Sequence, residues 1–279
     1  MKYMKICIVV VNMTENNFKT PNFFRSFFYA YFYKKMTLKK FLTSVFIVFY
    51  LSAFSQKTIE NQRVWFAYTG QFKVSKEWGY HLEAQFRLDN QLQQSLQNLF
   101  RIGGIYYFST SKNISGGYAL VNTYNLSLED YFNENRLWEQ YQYTKKWHEN
   151  KNIIIHRLRL EQRWVEAIGL VDDNVVSLGS NYQNRFRYLN RNLFHLGNLN
   201  SGNEEIYMVL QNEIFLNLGE NKINENVIDQ NRFLIGLGMN YYNNTRLEIG
   251  YLNHFISSST SNDVINHTVS ISLIQNLVL

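Results

Sequence analysis

Proline and cysteine are almost absent from this chain, and charge is sparse. One Pro and one Cys occur in 279 residues, and Asp, Glu, Lys and Arg together make up 18%. A single Cys excludes a disulfide scaffold and a multi-cysteine zinc site. Few charges combined with 16% aromatics exclude a disordered chain, which is aromatic-poor and charge-rich. The apolar stretch Phe41–Leu51 falls short of the roughly 20 residues that a membrane-spanning helix needs. What the chain does have is 21 Phe, 20 Tyr and a net charge of +6. Taken whole, that charge points to an acidic partner such as nucleic acid or an anionic membrane.

The distribution of charge removes that inference. Residues 1–55 hold eight basic residues and one acidic residue, Glu15, together with the only Pro (Pro21) and the only Cys (Cys7). The remaining 56–279 hold 20 basic and 21 acidic residues. No nucleic-acid partner is expected of a segment so balanced. Residues 36–55 have the plan of a secretory signal peptide: Lys39 and Lys40, the apolar Phe41–Leu51, then Ala53-Phe54-Ser55 as a small-x-small cleavage site before Gln56. Cleavage is expected between Ser55 and Gln56. Residues 1–35 are read as an upstream over-extension, with Met36 as the true start. The expected domains are therefore 1–35 over-extension, 36–55 signal peptide and 56–279 mature protein.

The mature chain alternates with period 2, segment after segment, and shows no sustained 3.6 period. Around 79–89, Tyr80, Leu82, Ala84, Phe86 and Leu88 oppose His81, Glu83, Gln85, Arg87 and Asp89. Around 152–165, Ile154, Leu158, Leu160 and Trp164 oppose Arg157, Arg159, Glu161 and Arg163. Eleven such segments occur, each about 9–15 residues long, whereas ordinary strands average about 5–6. A membrane-spanning strand needs about 9–11. Length, alternation and leader predict an all-β fold: a transmembrane antiparallel β-barrel, apolar side out, in the cell outer membrane. A soluble barrel with its apolar face inward is the alternative, but its wetted face should be rich in Lys. Here Lys gathers at turns such as Ser75-Lys76-Glu77 and Ser111-Lys112-Asn113.

Connections at 75–78, 110–113, 148–151 and 242–244 read as tight turns, and those at 89–97, 126–132, 166–181 and 218–229 as long loops. An odd number of strands cannot close antiparallel, and a chain starting in the periplasm would put its first tight turn outside. Ten to twelve strands are expected, with twelve preferred.

The run His156-Arg157-Leu158-Arg159-Leu160-Glu161-Gln162-Arg163 resembles a motif of an uncharacterised Gram-negative family, domain of unknown function 2490. Trp65, Lys76-Glu77-Trp78, Asn184-Arg185-Phe186-Arg187-Tyr188 and Gly250-Tyr251 are similar to it as well, so the resemblance covers about 60–277. It implies an outer-membrane barrel and carries no catalytic residues.

Arg157, Arg159, Glu161 and Arg163 lie two apart, so one strand face holds all four. Arg101, Arg185, Arg187, Arg232, Glu213 and Glu248 belong to the matching face of other strands. Unpaired charges are costly to bury, so these groups should pair or meet water. They predict either a structural plug of Arg–carboxylate contacts or a pore selecting small polar or anionic solutes. The plug is favoured, since aqueous channels use more strands. An enzyme is not expected, nor a cofactor or a resident metal. His156 and His267 are the two histidines on the expected outer face, the sole hint of a lipid-modifying barrel. Asp172-Asp173 and Glu129-Asp130 are read as solvated loop pairs. Gly103-Gly104 and Gly116-Gly117 sit inside strand patterns and mark a bend or close packing under a large neighbour. Expected partners are outer-membrane lipid, the barrel-assembly and secretion machinery, and a small polar or anionic solute.

Overall fold

The computed structural model describes residues 58–279 apart from 90, 150, 200–203, 222, 242–244 and 260. The expectations for 1–55, including cleavage between Ser55 and Gln56, lie outside the described residues.

The described chain is all strand and connection, without a helix. The strands are β1 (Thr58–Lys73), β2 (Trp78–Asp89), β3 (Ser95–Tyr107), β4 (Lys112–Asn125), β5 (Asp130–Trp147) and β6 (Asn152–Val171). After them come β7 (Asn174–Asn198), β8 (Glu205–Leu218), β9 (Ile228–Tyr241), β10 (Thr245–Ile256) and β11 (Asp263–Val278). Each pairs with its sequence neighbours, and β1 pairs with β11 to close the barrel.

The preference for twelve strands is corrected to eleven. An all-antiparallel barrel needs an even number, and this one escapes the rule at a single seam. β1 and β11 run parallel, from Thr58 opposite Asp263 to Lys73 opposite Val278. Parallel hydrogen bonds are slanted but evenly spaced, so both edges are satisfied and no open edge remains. The parallel seam also sets direction. Thr58 and Val278 lie at opposite ends of the barrel, which take the names Thr58 end and Val278 end.

A second correction concerns 166–181, which is no loop. β6 and β7 continue through it and meet in a two-residue turn, Asp172-Asp173, with Val171 opposite Asn174. Both aspartates have positive φ, 49° and 62°. A two-residue hairpin turn requires that conformation, and Asp tolerates it because its short side chain crowds little. β5 pairs with β6 only as far as Val165, and β8 meets β7 only from Asn184. The hairpin tip therefore projects beyond its neighbours at the Thr58 end.

Period 2 dictates which side chains share a face, and burial shows which face is which. On β3, Phe100 and Ile102 are exposed while Leu99 and Arg101 are buried. On β6, Leu158 and Leu160 are exposed while Arg159 and Glu161 are buried. The ordinary arrangement of a soluble protein is inverted: large apolar groups cover the outside and ions fill the inside.

Two glycine pairs let strands approach closely toward the lumen. Gly103 faces Gly117, and Gly236 faces Gly250. A Cβ at Gly236 would stand 2.5 Å from the Ile249 carbonyl oxygen and 2.8 Å from the Gly250 Cα. Gly238 serves a different end: a Cβ there would stand 2.3 Å from the Tyr207 ring. Tyr207 caps an apolar cluster of Leu193, Val209, Leu234 and Leu252 that fills one part of the lumen. Gly238→Ala is expected to cost about 1–3 kcal/mol by overpacking. In a Tyr207→Ala background the same change should cost far less, because the nearest atoms are all Tyr207's. Urea unfolding of the four proteins of this cycle checks it; an equal cost in both backgrounds would refute the seat.

Candidate functional site

The lumen is the candidate site, and β6 supplies its centre. Alternation points Arg157, Arg159, Glu161 and Arg163 inward from one strand. The Glu161 side chain is fully buried. Its Oε2 accepts from Arg185 Nη2 at 2.7 Å, and its Oε1 accepts from Arg187 Nη1 at 2.7 Å and Arg101 Nη2 at 3.3 Å. Arg159 Nη1 lies 3.8 Å from the same carboxylate. Four guanidiniums thus surround one anion. Arg101 comes from β3, so its bond to Glu161 on β6 reaches through the lumen past β4 and β5.

The lattice extends from this hub through contacts between neighbouring strands and contacts that skip a strand. Glu213 Oε1 on β8 accepts from Arg187 Nη2 at 2.8 Å and from Arg157 Nη2 on β6 at 2.6 Å. Asp229 Oδ2 on β9 accepts from Arg185 Nη1 on β7 at 3.1 Å. Arg101 also donates to Glu83. Ion pairs that cross a tube occupy its bore, and charge-assisted bonds hold them firmly.

Three residues singled out in the sequence lie apart from this hub. Arg163 joins Glu134, which also takes Arg136 in a two-bond grip at 2.5 and 2.9 Å. Glu248 joins Arg191, and the Tyr207 hydroxyl donates to it at 2.7 Å. Arg232 stands opposite Glu213 in the β8–β9 register without making an ion pair, and its Nη2 donates to Gln230 at 3.0 Å.

Several members escaped the sequence reading: Glu134, Arg191, Asp229 and the inward aromatics. Gln140 Oε1 accepts from Arg159 Nε and Nη2 at 3.0 and 2.6 Å. Glu134 could have been found by counting two back from Arg136. The aromatics could not, since they break the polar pattern of their face. Trp138 has Arg101 and Arg159 over its ring at 5.5 and 5.2 Å, and Phe215 has Arg185, Arg187 and Arg232 over its ring at 5.2, 4.3 and 4.4 Å. Their ring faces are negative and soften the crowding of guanidiniums.

A cavity of about 130 Å³ remains between these groups. Arg87, Gln97, Gln230 and Ile256 line it, each within two residues of the ends of β2, β3, β9 and β10. The cavity therefore lies toward the Thr58 end. Trp65 packs against the apolar cluster and also carries Arg87 and Arg232 over its ring, at 4.1 and 5.1 Å.

His156 and His267 sit on the outer face beside tyrosines. His156 Nδ1 lies 2.9 Å from the Tyr188 hydroxyl, and His267 Nδ1 lies 2.6 Å from that of Tyr251. Each ring stacks on its tyrosine. The next polar neighbours are the Asn190 amide for His156 and the Glu60 carboxylate for His267, and none of these groups is a serine nucleophile. Among the described residues, no group of three or more His, Cys, Asp or Glu is placed to hold a metal ion.

No curated protein and no solved structure matches this sequence. The signature of one family does match, over residues 62–265, which takes in all of the lumen lattice. The chain belongs to that family, described as Protein of unknown function (DUF2490).

Proposed function

We propose that the protein is an outer-membrane β-barrel with an occluded, charge-packed lumen and a structural role, not an open channel. The observation that carries this is the inversion of polarity together with the ion pairs that cross the bore. Phe100, Ile102, Leu137 and Ile249 are about half exposed, at 50%, 57%, 49% and 57%, and lie on different sides of the barrel. A soluble protein rarely leaves apolar patches beyond a few hundred Å². In lipid such a surface is at ease, and a closed barrel leaves no backbone group unsatisfied. All eleven strands have at least the 9–11 residues that a span requires.

Polar side chains on the outer face pair with one another along neighbouring strands. Asn212 donates to Asn231 at 3.2 Å, Tyr118 donates to Asn135, and Gln162 lies 3.5 Å from Glu139. Such pairing lowers the cost of meeting lipid. The partners that follow from this reading are outer-membrane lipid and the machinery that exports and inserts barrels.

The lattice at Glu161, Glu213 and Asp229 blocks a continuous aqueous path. Protein refolded into detergent and added to a planar bilayer is expected to give no stepwise conductance, while migrating faster unheated than boiled on a denaturing gel. A steady porin-sized conductance would overturn the occluded lumen. Recovery of the mature chain from the soluble periplasmic fraction would overturn the membrane placement.

A further inference from the structure

We propose that the cavity beside Arg87 and Arg232 binds a small oxyanion of the phosphate type, free or as the terminal phosphate of a larger molecule. The inference goes beyond the structural role proposed for the barrel and does not depend on how the barrel sits in a membrane.

Charge imbalance in the walls comes first. Seven arginines line the cavity and Glu83 is the one carboxylate among the lining residues. Five of those arginines have carboxylate partners: Arg101 on Glu83 and Glu161, Arg136 and Arg163 on Glu134, Arg185 on Glu161 and Asp229, Arg187 on Glu161 and Glu213. Arg87 and Arg232 make no ion pair, although Glu213 stands opposite Arg232 in the β8–β9 register. Arg87 donates to Gln97 and to Gln85, and Arg232 donates to Gln230. Amide oxygens solvate a guanidinium without neutralising it. The other polar group at Gln230 is His254, whose Nε2 lies 3.0 Å from the same Oε1. It brings no negative charge.

Unused donors are the second, independent observation. The Nε atoms of Arg87, Arg101 and Arg232 are buried without a hydrogen-bond partner. Arg101 is 4% exposed and Arg232 is 9% exposed. A buried donor left unmade costs about 1–3 kcal/mol, more when charged, so three around one cavity call for an acceptor. Water would satisfy hydrogen bonds but not charge.

Size and geometry select the acceptor. At about 130 Å³ the cavity has room for a tetrahedral oxyanion with a few waters, a water's share of liquid being roughly 30 Å³. Guanidiniums bind phosphate oxygens through paired N–H groups, and Arg87 and Arg232 both lie over Trp65, which holds them near one another. An anion between them would cancel their mutual repulsion.

The experiment titrates inorganic phosphate into the refolded barrel by calorimetry, in wild type, Arg87→Gln, Arg232→Gln and the control Lys112→Gln. Lys112 is exposed and away from the cavity. Saturable binding is expected in wild type and Lys112→Gln, with Kd raised at least tenfold in the two arginine variants. Equal Kd values in all four proteins, or no saturable binding, would overturn the site for free phosphate. A measurement on wild type alone guards against misfolded variants: the temperature at which the compact gel band is lost, with phosphate or with chloride at equal ionic strength. The same melt in micelles of lysophosphatidic acid against lysophosphatidylcholine separates the sources. Protection by phosphate over chloride assigns a free oxyanion. Protection by lysophosphatidic acid alone assigns a lipid phosphomonoester. Protection by neither refutes the proposal.

Discussion

Glu161→Ala is expected to destabilise the barrel by about 3–5 kcal/mol, the usual cost of removing one partner from a buried ion pair. The physical reason is the asymmetry of the lattice. One carboxylate, fully shielded from solvent, answers Arg101, Arg159, Arg185 and Arg187. Without it, Arg185 keeps Asp229 and Arg187 keeps Glu213, whereas Arg159 retains only the Gln140 amide. Four like charges then converge on an empty place in a medium that screens them poorly. Glu161→Gln should cost nearly as much, since it preserves the shape and removes the charge. Glu60→Gln makes the contrast, because Glu60 is exposed and 3.6 Å from His267 across an open surface. An exposed pair is worth about 0–1 kcal/mol. Denaturant titration of the refolded proteins measures all three. If Glu161→Gln behaves like Glu60→Gln, charge compensation is not what holds the lumen together.

The barrel and its polarity were legible because they follow from local alternation alone. Phe100-Arg101-Ile102 and Leu158-Arg159-Leu160-Glu161 announce two faces of opposite chemistry within a few residues. The strand number was readable from the same signal, since eleven segments alternate. The preference for twelve came from requiring antiparallel closure, and nothing local to β1 or β11 tells that they run side by side in one direction. That pairing joins residues about 200 positions apart, such as Asn61 and Asn266. The hairpin at Asp172-Asp173 was hidden for another reason. Its turn lacks glycine, and Leu170, Val171, Val175 and Val176 show no alternation because no neighbouring strand divides inside from outside there.

The charged face was legible as a face but not as a set of partners. Arg157, Arg159, Glu161 and Arg163 share a side by parity. That Glu161 takes an arginine 60 residues upstream depends on the stagger of strands round the closed barrel. Parity also fails where a strand reverses polarity. On β5 the inward Trp138 and the outward Glu139 exchange the expected roles, which is why 133–147 alternates less cleanly than β6. The Trp138 exception has its cause in β3, where Gly103 clears the space that the indole occupies.

Trp138→Ala is accordingly expected to cost about 3–5 kcal/mol, among the largest single-residue effects in the barrel. The side chain is 1% exposed. A Cβ at Gly103 would stand 2.5 Å from the Trp138 ring, so the indole lies directly on the strand backbone beneath it. His81 meets the ring edge-on at 5.4 Å, and Arg101 and Arg159 approach it within about 5.5 Å. Truncation removes this support from two members of the Glu161 hub at once. It also leaves a void that cannot refill, because the lattice around it is tied across the bore. Phe100→Ala provides the comparison. Phe100 faces outward at 50% exposure, where mobile lipid or detergent closes over the missing ring. Its loss should be limited to contacts with neighbours such as Phe86, 5.7 Å away, and remain near 1–2 kcal/mol. Equal losses for the two variants, measured by urea unfolding in the same vesicles, would mean that the lumen yields as readily as the lipid outside. A clear excess for Trp138→Ala would establish a rigid, filled interior, in which the cavity beside Arg87 and Arg232 keeps its shape because its surroundings cannot collapse into it.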